Sequence, residues 1–260
     1  RFNDIVKNIK ANQTAVNFIK SKIYSTVKNK KYADILTNFD HPFTAKRPTL
    51  NTNYYEMFNK KNVELVDLKQ SPIIKITKRG IKTKKGEYIL DKIIFATGFD
   101  ALTGSILKLN ITGKKGINLS KFWSKGPKSF LGLLVPNFPN LFIVSGPGSP
   151  SVLTNVPVQI EQHVNWITNC IRYLEKNRKK SIETTNLAAK KWQKEIMNSV
   201  KKTLFMKAKS SWYKGDNIPG KPKTFLPYPG GMPKYKSECI KVEKNKYKDC
   251  LLYTSDAADE

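Results

Sequence analysis

Two segments of this chain end an apolar, β-branched run on small residues and glycine. They are Asp91–Asp100 (DKIIFATGFD) and Leu141–Pro150 (LFIVSGPGSP). This pattern is typical of a buried parallel strand whose end lies against a ligand. Glycine adopts positive φ and lets backbone N–H groups approach a cofactor closely. Together the two segments indicate an enzyme with a nucleotide cofactor, although the sequence contains no GxGxxG motif to hold a pyrophosphate.

The elements that must position these segments can be predicted from apolar spacing. One or two amphipathic helices are expected within Ile5–Thr37, and long helices over Pro157–Asn177 and Asn186–Leu204. Asn38–Pro48 is expected to be a loop, and Met206–Lys236 an ordered segment over the surface. Further expectations are a short helix at Tyr54–Asn59, short strands at Val63–Leu68, Ile73–Thr77, Ile81–Thr83 and Glu87–Leu90, buried strands at Ile93–Ala96 and Leu141–Ser145, and irregular chain with short strands over Ala101–Pro139.

The net charge of +27 raises the question of a nucleic-acid partner. Only five of the 47 basic residues are arginine, and the lysines are spread along the whole chain. Nucleic-acid readers favour arginine, which grips phosphates and guanine edges through two hydrogen bonds. The composition therefore favours a solvated lysine-rich surface, and no nucleic-acid partner is expected.

Cysteine and histidine usage argues against disulfide and metal chemistry. Cys170, Cys239 and Cys250 have no metal-ligand spacing, and three cysteines leave one unpaired. His41 and His163 lie too far apart to suggest a metal site. A reducing compartment is the simpler expectation, so we expect a cytoplasmic protein. No apolar run is long enough to span a membrane.

Nine motifs, in order and spacing, resemble the C-terminal half of Baeyer–Villiger monooxygenases of the phenylacetone and cyclohexanone type. They are AKRP (Ala45–Pro48), YYEMFNKKNVELVD (Tyr54–Asp67), PIIKITKRGIKT (Pro72–Thr83), LDKIIFATGFDALTG (Leu90–Gly104), WSKGPKSFLGL (Trp123–Leu133), FPNLFIVSGPGSPSVLTN (Phe138–Asn155), IEQHVNWI (Ile160–Ile167), SWYKGDNIPGKP (Ser211–Pro222) and PYPGG (Pro227–Gly231).

The resemblance implies an α/β fold, part of a flavoprotein with two Rossmann-like dinucleotide-binding domains, for FAD and NADP. Residues 1–88 would end the NADP-binding domain with its helical insertion. Residues 89–249 would be the C-terminal part of the FAD-binding domain and a surface wrap. The family's glycine motifs and its FxGxxxHxxxW signature would lie in an N-terminal half of the subunit that precedes Arg1. We therefore expect a fragment that is unstable and inactive alone.

The resemblance also implies a reaction: insertion of one oxygen atom of O2 next to the carbonyl of a small-molecule ketone, using FAD and NADPH. Arg47 matches the arginine that stabilises anionic oxygen in this reaction, a role suited to a guanidinium, which keeps its charge. Lys46 and Arg47 match residues at the NADP site, as does Trp212 on a mobile loop. Arg47 and Lys46 could instead be surface cations, and Trp212 an aromatic anchor of the wrap.

Residues at the ends of the two apolar runs match the family's FAD site and substrate pocket. The residues expected to bind FAD are Ala96, Thr97, Gly98, Asp100, Gly146, Pro147 and Val156. The residues expected to line the substrate pocket are Ser151, Val152, Leu153 and Thr154. Tight packing against a helix is the alternative reason for a glycine at the first strand end. His163, on the predicted helix Pro157–Asn177, is interpreted as structural rather than as a base.

Two other functions stay open at this point. A related flavin monooxygenase that oxidises nitrogen or sulfur would share much of the pattern, and Arg47 is the feature that favours ketone oxidation. A basic binding module is the alternative outside enzymes. Residues 250–260 (CLLYTSDAADE) contain no lysine and are similar to a translated sequencing adapter, so we expect that tail to be an artefact.

Overall fold

The structure is a computed structural model that describes residues 4–253. The chain divides into two compact units, Arg1–Phe99 and Asp100–Glu260. The first unit begins with two helices, α1 (Ile9–Thr26) and α2 (Lys30–Leu36), as the apolar spacing predicts. The Asn8 side chain caps α1 by accepting a hydrogen bond from the Lys10 N–H at 2.9 Å.

A small core and an antiparallel sheet complete the first unit. Ile23, Val27, Ala33 and Phe58 form the core between the helices and a 3-10 turn at Glu56–Asn59. The sheet has the order β1-β2-β3, with β1 at Ile73–Thr77, β2 at Gly80–Thr83 and β3 at Gly86–Ile89. These strands agree with the sequence prediction, whereas Val63–Leu68 forms no strand.

The predicted buried strand Ile93–Ala96 is wrong. The segment carries no strand hydrogen bonds, and Ile94 and Phe95 are 91% and 68% exposed. Apolar composition marks a segment that can join a sheet, but a strand exists only when a neighbour supplies its hydrogen bonds. Among residues 4–253, no other segment pairs with it.

The second unit is built around the long helix α5 (Val156–Lys176), confirming the helix predicted over 157–177. Two short helices precede it, α3 (Gly104–Leu107) and α4 (Leu119–Phe122), where short strands were expected. After it come β4 (Ser181–Thr184), α6 (Asn186–Lys201), α7 (Met232–Lys244) and β5 (Cys250–Tyr253). Helix α6 agrees with the prediction over 186–204.

Two further sequence predictions in this unit need correction. Leu141–Ser145 is not a core strand, because only Phe142 forms a bridge, to Leu134, and Val144 is 43% exposed. Helix α7 begins inside a Gly- and Pro-rich segment that predicted only a surface wrap. Pro233 lies in its first turn, where proline loses no helical hydrogen bond.

The strand pairs found over residues 4–253 are antiparallel, including β4 with β5. Strand β5 includes the first residues of the tail 250–260, and the rest of that tail lies outside the described residues. The adapter origin of the tail stays a prediction. No helix in the described part of the chain is long and apolar enough to cross a membrane.

Candidate functional site

In the first unit, Lys46 and Arg47 lie in a loop that a buried asparagine attaches to α1. The Asn12 side chain accepts a hydrogen bond from the Phe43 N–H at 3.0 Å and donates to the Phe43 carbonyl at 3.0 Å and the Ile5 carbonyl at 2.9 Å. Ala45, directly before the two cations, is buried. The loop backbone is therefore fixed where the two long side chains leave it.

Lys46 and Arg47 line a cleft of about 630 Å³ between α1 and the loop. Aromatic and apolar side chains from both elements form much of its wall, among them Phe18, Phe39 and Leu50. A cleft with apolar walls and a few fixed cations suits an organic anion that is partly apolar, such as a nucleotide.

Lys46 shares its anionic neighbour with a histidine. Asp40 accepts a hydrogen bond from His41 Nδ1 at 2.7 Å, and the Lys46 ammonium lies 3.5 Å from the same Oδ1 atom. The hydrogen bond from His41 and the charge of Lys46 lower the pKa of the Asp40 carboxyl. Asp40 therefore stays ionised and orients Lys46 at the edge of the cleft.

The residues Ala96, Thr97 and Gly98 belong to the exposed segment of the first unit that forms neither helix nor strand. Gly98 has φ +86°, and a Cβ built there would meet no atom within 4 Å. No backbone hydrogen bond to the described residues is made by positions 93–99. Open backbone N–H groups beside a positive-φ glycine fit a ligand that approaches the main chain closely, such as a dinucleotide.

In the second unit, two glycine turns approach each other so closely that neither tolerates a side chain. A Cβ on Gly132, at φ +72°, would lie 2.4 Å from the Ser149 nitrogen, and a Cβ on Gly146 would lie 2.5 Å from the Gly132 carbonyl oxygen. Pro147 follows, and its carbonyl accepts a hydrogen bond from the buried Ser129 hydroxyl. The GPGSP turn is therefore held by backbone contacts.

The expected substrate-pocket residues follow directly. Ser151–Leu153 form a 3-10 turn, Thr154 ends it, and α5 begins at Val156 after the Asn155 cap. Gly146, Pro147, Ser151–Thr154 and Val156 thus share one continuous region of the second unit.

A buried hydrogen-bond chain supports this region. His163 Nδ1 accepts from the Ser145 N–H at 3.0 Å, so the proton of the neutral ring is on Nε2. Nε2 then donates to the Tyr235 hydroxyl at 2.9 Å, which donates to the Leu131 carbonyl at 2.7 Å. Burial lowers the pKa of His163 to about 4. These contacts agree with the structural interpretation of His163.

Trp212 begins a 3-10 turn, Trp212–Lys214, within the segment Ser211–Pro222. Its ring packs edge-on against Tyr213, with 4.6 Å between ring centroids. Asp100, expected at the FAD site, forms an ion pair with Lys221 from the same segment. Sequence reasoning missed Lys221, although it lies in the SWYKGDNIPGKP motif that contains Trp212.

Comparison with known proteins gives consistent relatives over nearly the whole chain. Cyclohexanone 1,2-monooxygenase from Acinetobacter sp. is 42% identical over 258 residues, which cover 98% of this chain and 47% of that protein. A Baeyer–Villiger monooxygenase from Pseudooceanicola batsensis is 40% identical, covering 95% and 44%. Phenazine N-monooxygenase from Lysobacter antibioticus is 38% identical, covering 97% and 46%. No family model matches.

Solved structures agree with the sequence relatives. A closed crystal structure of cyclohexanone monooxygenase superposes with a TM-score of 0.93 at 37% identity, covering 98% of this chain and 47% of that one. A structure of OTEMO complexed with FAD and NADP gives 0.91 at 37% identity, covering 96% and 46%. The chain spans about half the length of the relatives it matches. The resemblance to Baeyer–Villiger monooxygenases is thereby confirmed, and the matching solved structures are α/β flavoprotein monooxygenases.

Proposed function

We propose that this chain is part of a Baeyer–Villiger monooxygenase, which uses FAD, NADPH and O2 to insert one oxygen atom next to the carbonyl of a small-molecule ketone. The observation that carries the proposal is the similarity to cyclohexanone 1,2-monooxygenase over 98% of this chain. The chain would supply the C-terminal half of the subunit.

The domain organisation is part of the same proposal. Residues 1–88 would complete an NADP-binding domain and residues 89–249 an FAD-binding domain, each with strands from the rest of the subunit. The unpaired, exposed segment at Ile94 and Phe95 supports this, because it has the composition of a core strand without a partner. Three buried thiols without a disulfide support a cytoplasmic location.

FAD, when bound, would accept two electrons from NADPH and use them to activate O2, which is the source of the inserted oxygen atom. The residues of this chain that would hold it are the open backbone at Ala96, Thr97 and Gly98 and the second-unit region from Gly146 and Pro147 to Val156. The close approach of Gly146 to the Gly132 carbonyl holds the turn in place, and this fixed turn supports a role in positioning the cofactor.

Arg47 is the proposed catalytic residue. Its guanidinium does not lose its proton at physiological pH, so it would stabilise negative charge on oxygen as the ketone carbonyl becomes tetrahedral. Lys46, oriented by Asp40, would contact the phosphate groups of NADP. Trp212 would cover the nicotinamide nucleotide. Ser151, Val152, Leu153 and Thr154 would set the shape of the ketone pocket.

The experiment replaces Arg47 in the full-length subunit. Arg47→Ala should lower ketone oxygenation at least about 100-fold, because the oxyanion loses its fixed charge. Reduction of bound flavin by NADPH should continue, which shows that the variant still folds and binds both cofactors. The matched control is Lys75→Ala, which also removes one cation but lies on the exposed strand β1. Ester formation at the normal rate in Arg47→Ala would contradict the proposal.

A second candidate is N-oxidation, favoured by the similarity to phenazine N-monooxygenase. An electrophilic oxygen transfer to nitrogen places no oxyanion on a carbonyl, so it gives Arg47 no such role. N-oxide formation from phenazine that is unaffected by Arg47→Ala, with no ester from ketones, would favour this candidate.

A further inference from the structure

One residue, Lys221, connects the segment Ser211–Pro222 to Asp100 and Ala101, which follow the first apolar run. The Lys221 ammonium forms an ion pair with the Asp100 carboxylate and donates a hydrogen bond to the Ala101 carbonyl at 3.1 Å. The Lys221 side chain is only 11% exposed and that of Asp100 is 38% exposed. This pair is therefore better shielded from water than an ordinary surface ion pair.

Each partner of the pair lies against a glycine. A Cβ on Gly104 would be 2.5 Å from the Asp100 Cβ, and a Cβ on Gly215 would be 3.3 Å from the Lys221 Cε. Gly215 also has φ +69°, a conformation that favours glycine. Because Gly104 and Gly215 have no side chains, the side chains of Asp100 and Lys221 have room to meet. A larger residue at either glycine would displace the side chain beside it.

The segment itself is held together internally. Asp216 accepts a hydrogen bond from the Ser211 N–H at 2.6 Å and forms an ion pair with Lys214 at 2.8 Å. The Lys214 carbonyl accepts from the Thr224 N–H at 3.0 Å. Because these bonds enclose Trp212, an attachment at Lys221 restricts the position of the tryptophan as well.

We propose that Lys221 is a positioning residue that holds the Trp212 segment against Asp100, and that Asp100 serves as its anchor rather than as a cofactor ligand. The consequence for NADP rests on the proposed function, which places Trp212 at the nicotinamide nucleotide. The pair would order the segment before NADP binds. The binding of NADP would then not be weakened by the conformational entropy lost on ordering the segment.

The test uses Asp100→Asn, Lys221→Met and the double variant in the full-length subunit. Lys223→Met, two residues along and exposed, is the matched control. Hydrogen exchange of the amides of residues 211–215 reports the attachment without any cofactor. Titration with NADP+ and stopped-flow reduction by NADPH separate cofactor affinity from the limiting rate of flavin reduction.

We expect both single variants to exchange faster at residues 211–215 and to bind NADP+ about fivefold more weakly, the effect of one partly shielded pair. The limiting reduction rate should stay within about twofold, and the double variant should be no weaker than either single variant. Unchanged exchange would overturn the attachment. Faster exchange with unchanged NADP+ affinity would overturn its role in cofactor binding. A wild-type subunit that binds no NADP+ would refute the proposed function, and exchange alone would then decide the attachment.

Discussion

The neutral state of His163 makes the fold sensitive to acid. The folded protein holds the pKa of His163 at about 4, against an ordinary 6.5, because the ring is buried. As the pH falls from 6.5 towards 4, the unfolded chain takes up a proton that the folded chain does not, so the free energy of unfolding falls. The loss between pH 7 and pH 5 should be about 2 kcal/mol.

Urea unfolding of the full-length subunit at several pH values measures this loss, with His163→Gln as the comparison. The variant should be less stable at pH 7, because it loses the hydrogen bonds of the His163 ring. Its stability should lack this share of the pH dependence, because glutamine does not titrate. The same slope in both proteins between pH 7 and pH 5 would contradict the assignment. At this residue scale, the sequence predicted a structural histidine, but its partners Tyr235 and Ser145 are distant in sequence and left no local signal.

At the scale of elements, the close approach of two turns explains why Gly132 must be glycine. Gly132→Ala should destabilise the protein by about 3 kcal/mol or more, because its Cβ would overlap the Ser149 nitrogen and the turn would have to move. Gly116→Ala is the matched control: φ is +71° there as well, but no atom lies within 4 Å of the added Cβ. The control should lose only about 1 kcal/mol, from backbone strain.

Thermal unfolding and the flavin content of the purified protein measure both variants. Equal loss of stability in the two would show that conformation, rather than contact with Ser149, determines the need for glycine at position 132.

Prediction from sequence succeeded for elements that carry their own hydrogen bonds. The helices α1, α5 and α6 follow from apolar spacing, and the β1-β2-β3 sheet is local in sequence. The predicted strands at Ile93–Ala96 and Leu141–Ser145 failed, because a core strand depends on neighbours that local sequence does not specify. The motifs placed Lys46 and Arg47 in one loop. The long-range hydrogen bonds of Asn12 and the ion pair of Lys221 with Asp100 could not be predicted, because they join residues that are far apart in sequence.

At the scale of the whole molecule, the exposed apolar residues indicate a surface that is normally buried against another part of the protein. Ile94 and Phe99 are 91% and 88% exposed. We therefore expect residues 1–249 expressed alone to bind a hydrophobic dye strongly, to aggregate and to retain no FAD. Ile94→Lys with Phe99→Lys should reduce dye binding. A stable monomer of residues 1–249 that binds FAD stoichiometrically would contradict this expectation.

The most direct test of the proposed function measures where an oxygen atom of O2 is found in the product. The full-length subunit, supplied with NADPH, a cyclic ketone and ¹⁸O₂, should yield the lactone with one ¹⁸O atom in its ring and consume one NADPH per product. Oxidation of NADPH without lactone, or the N-oxide of an aromatic nitrogen heterocycle as the only oxygenated product, would contradict the assignment to Baeyer–Villiger chemistry.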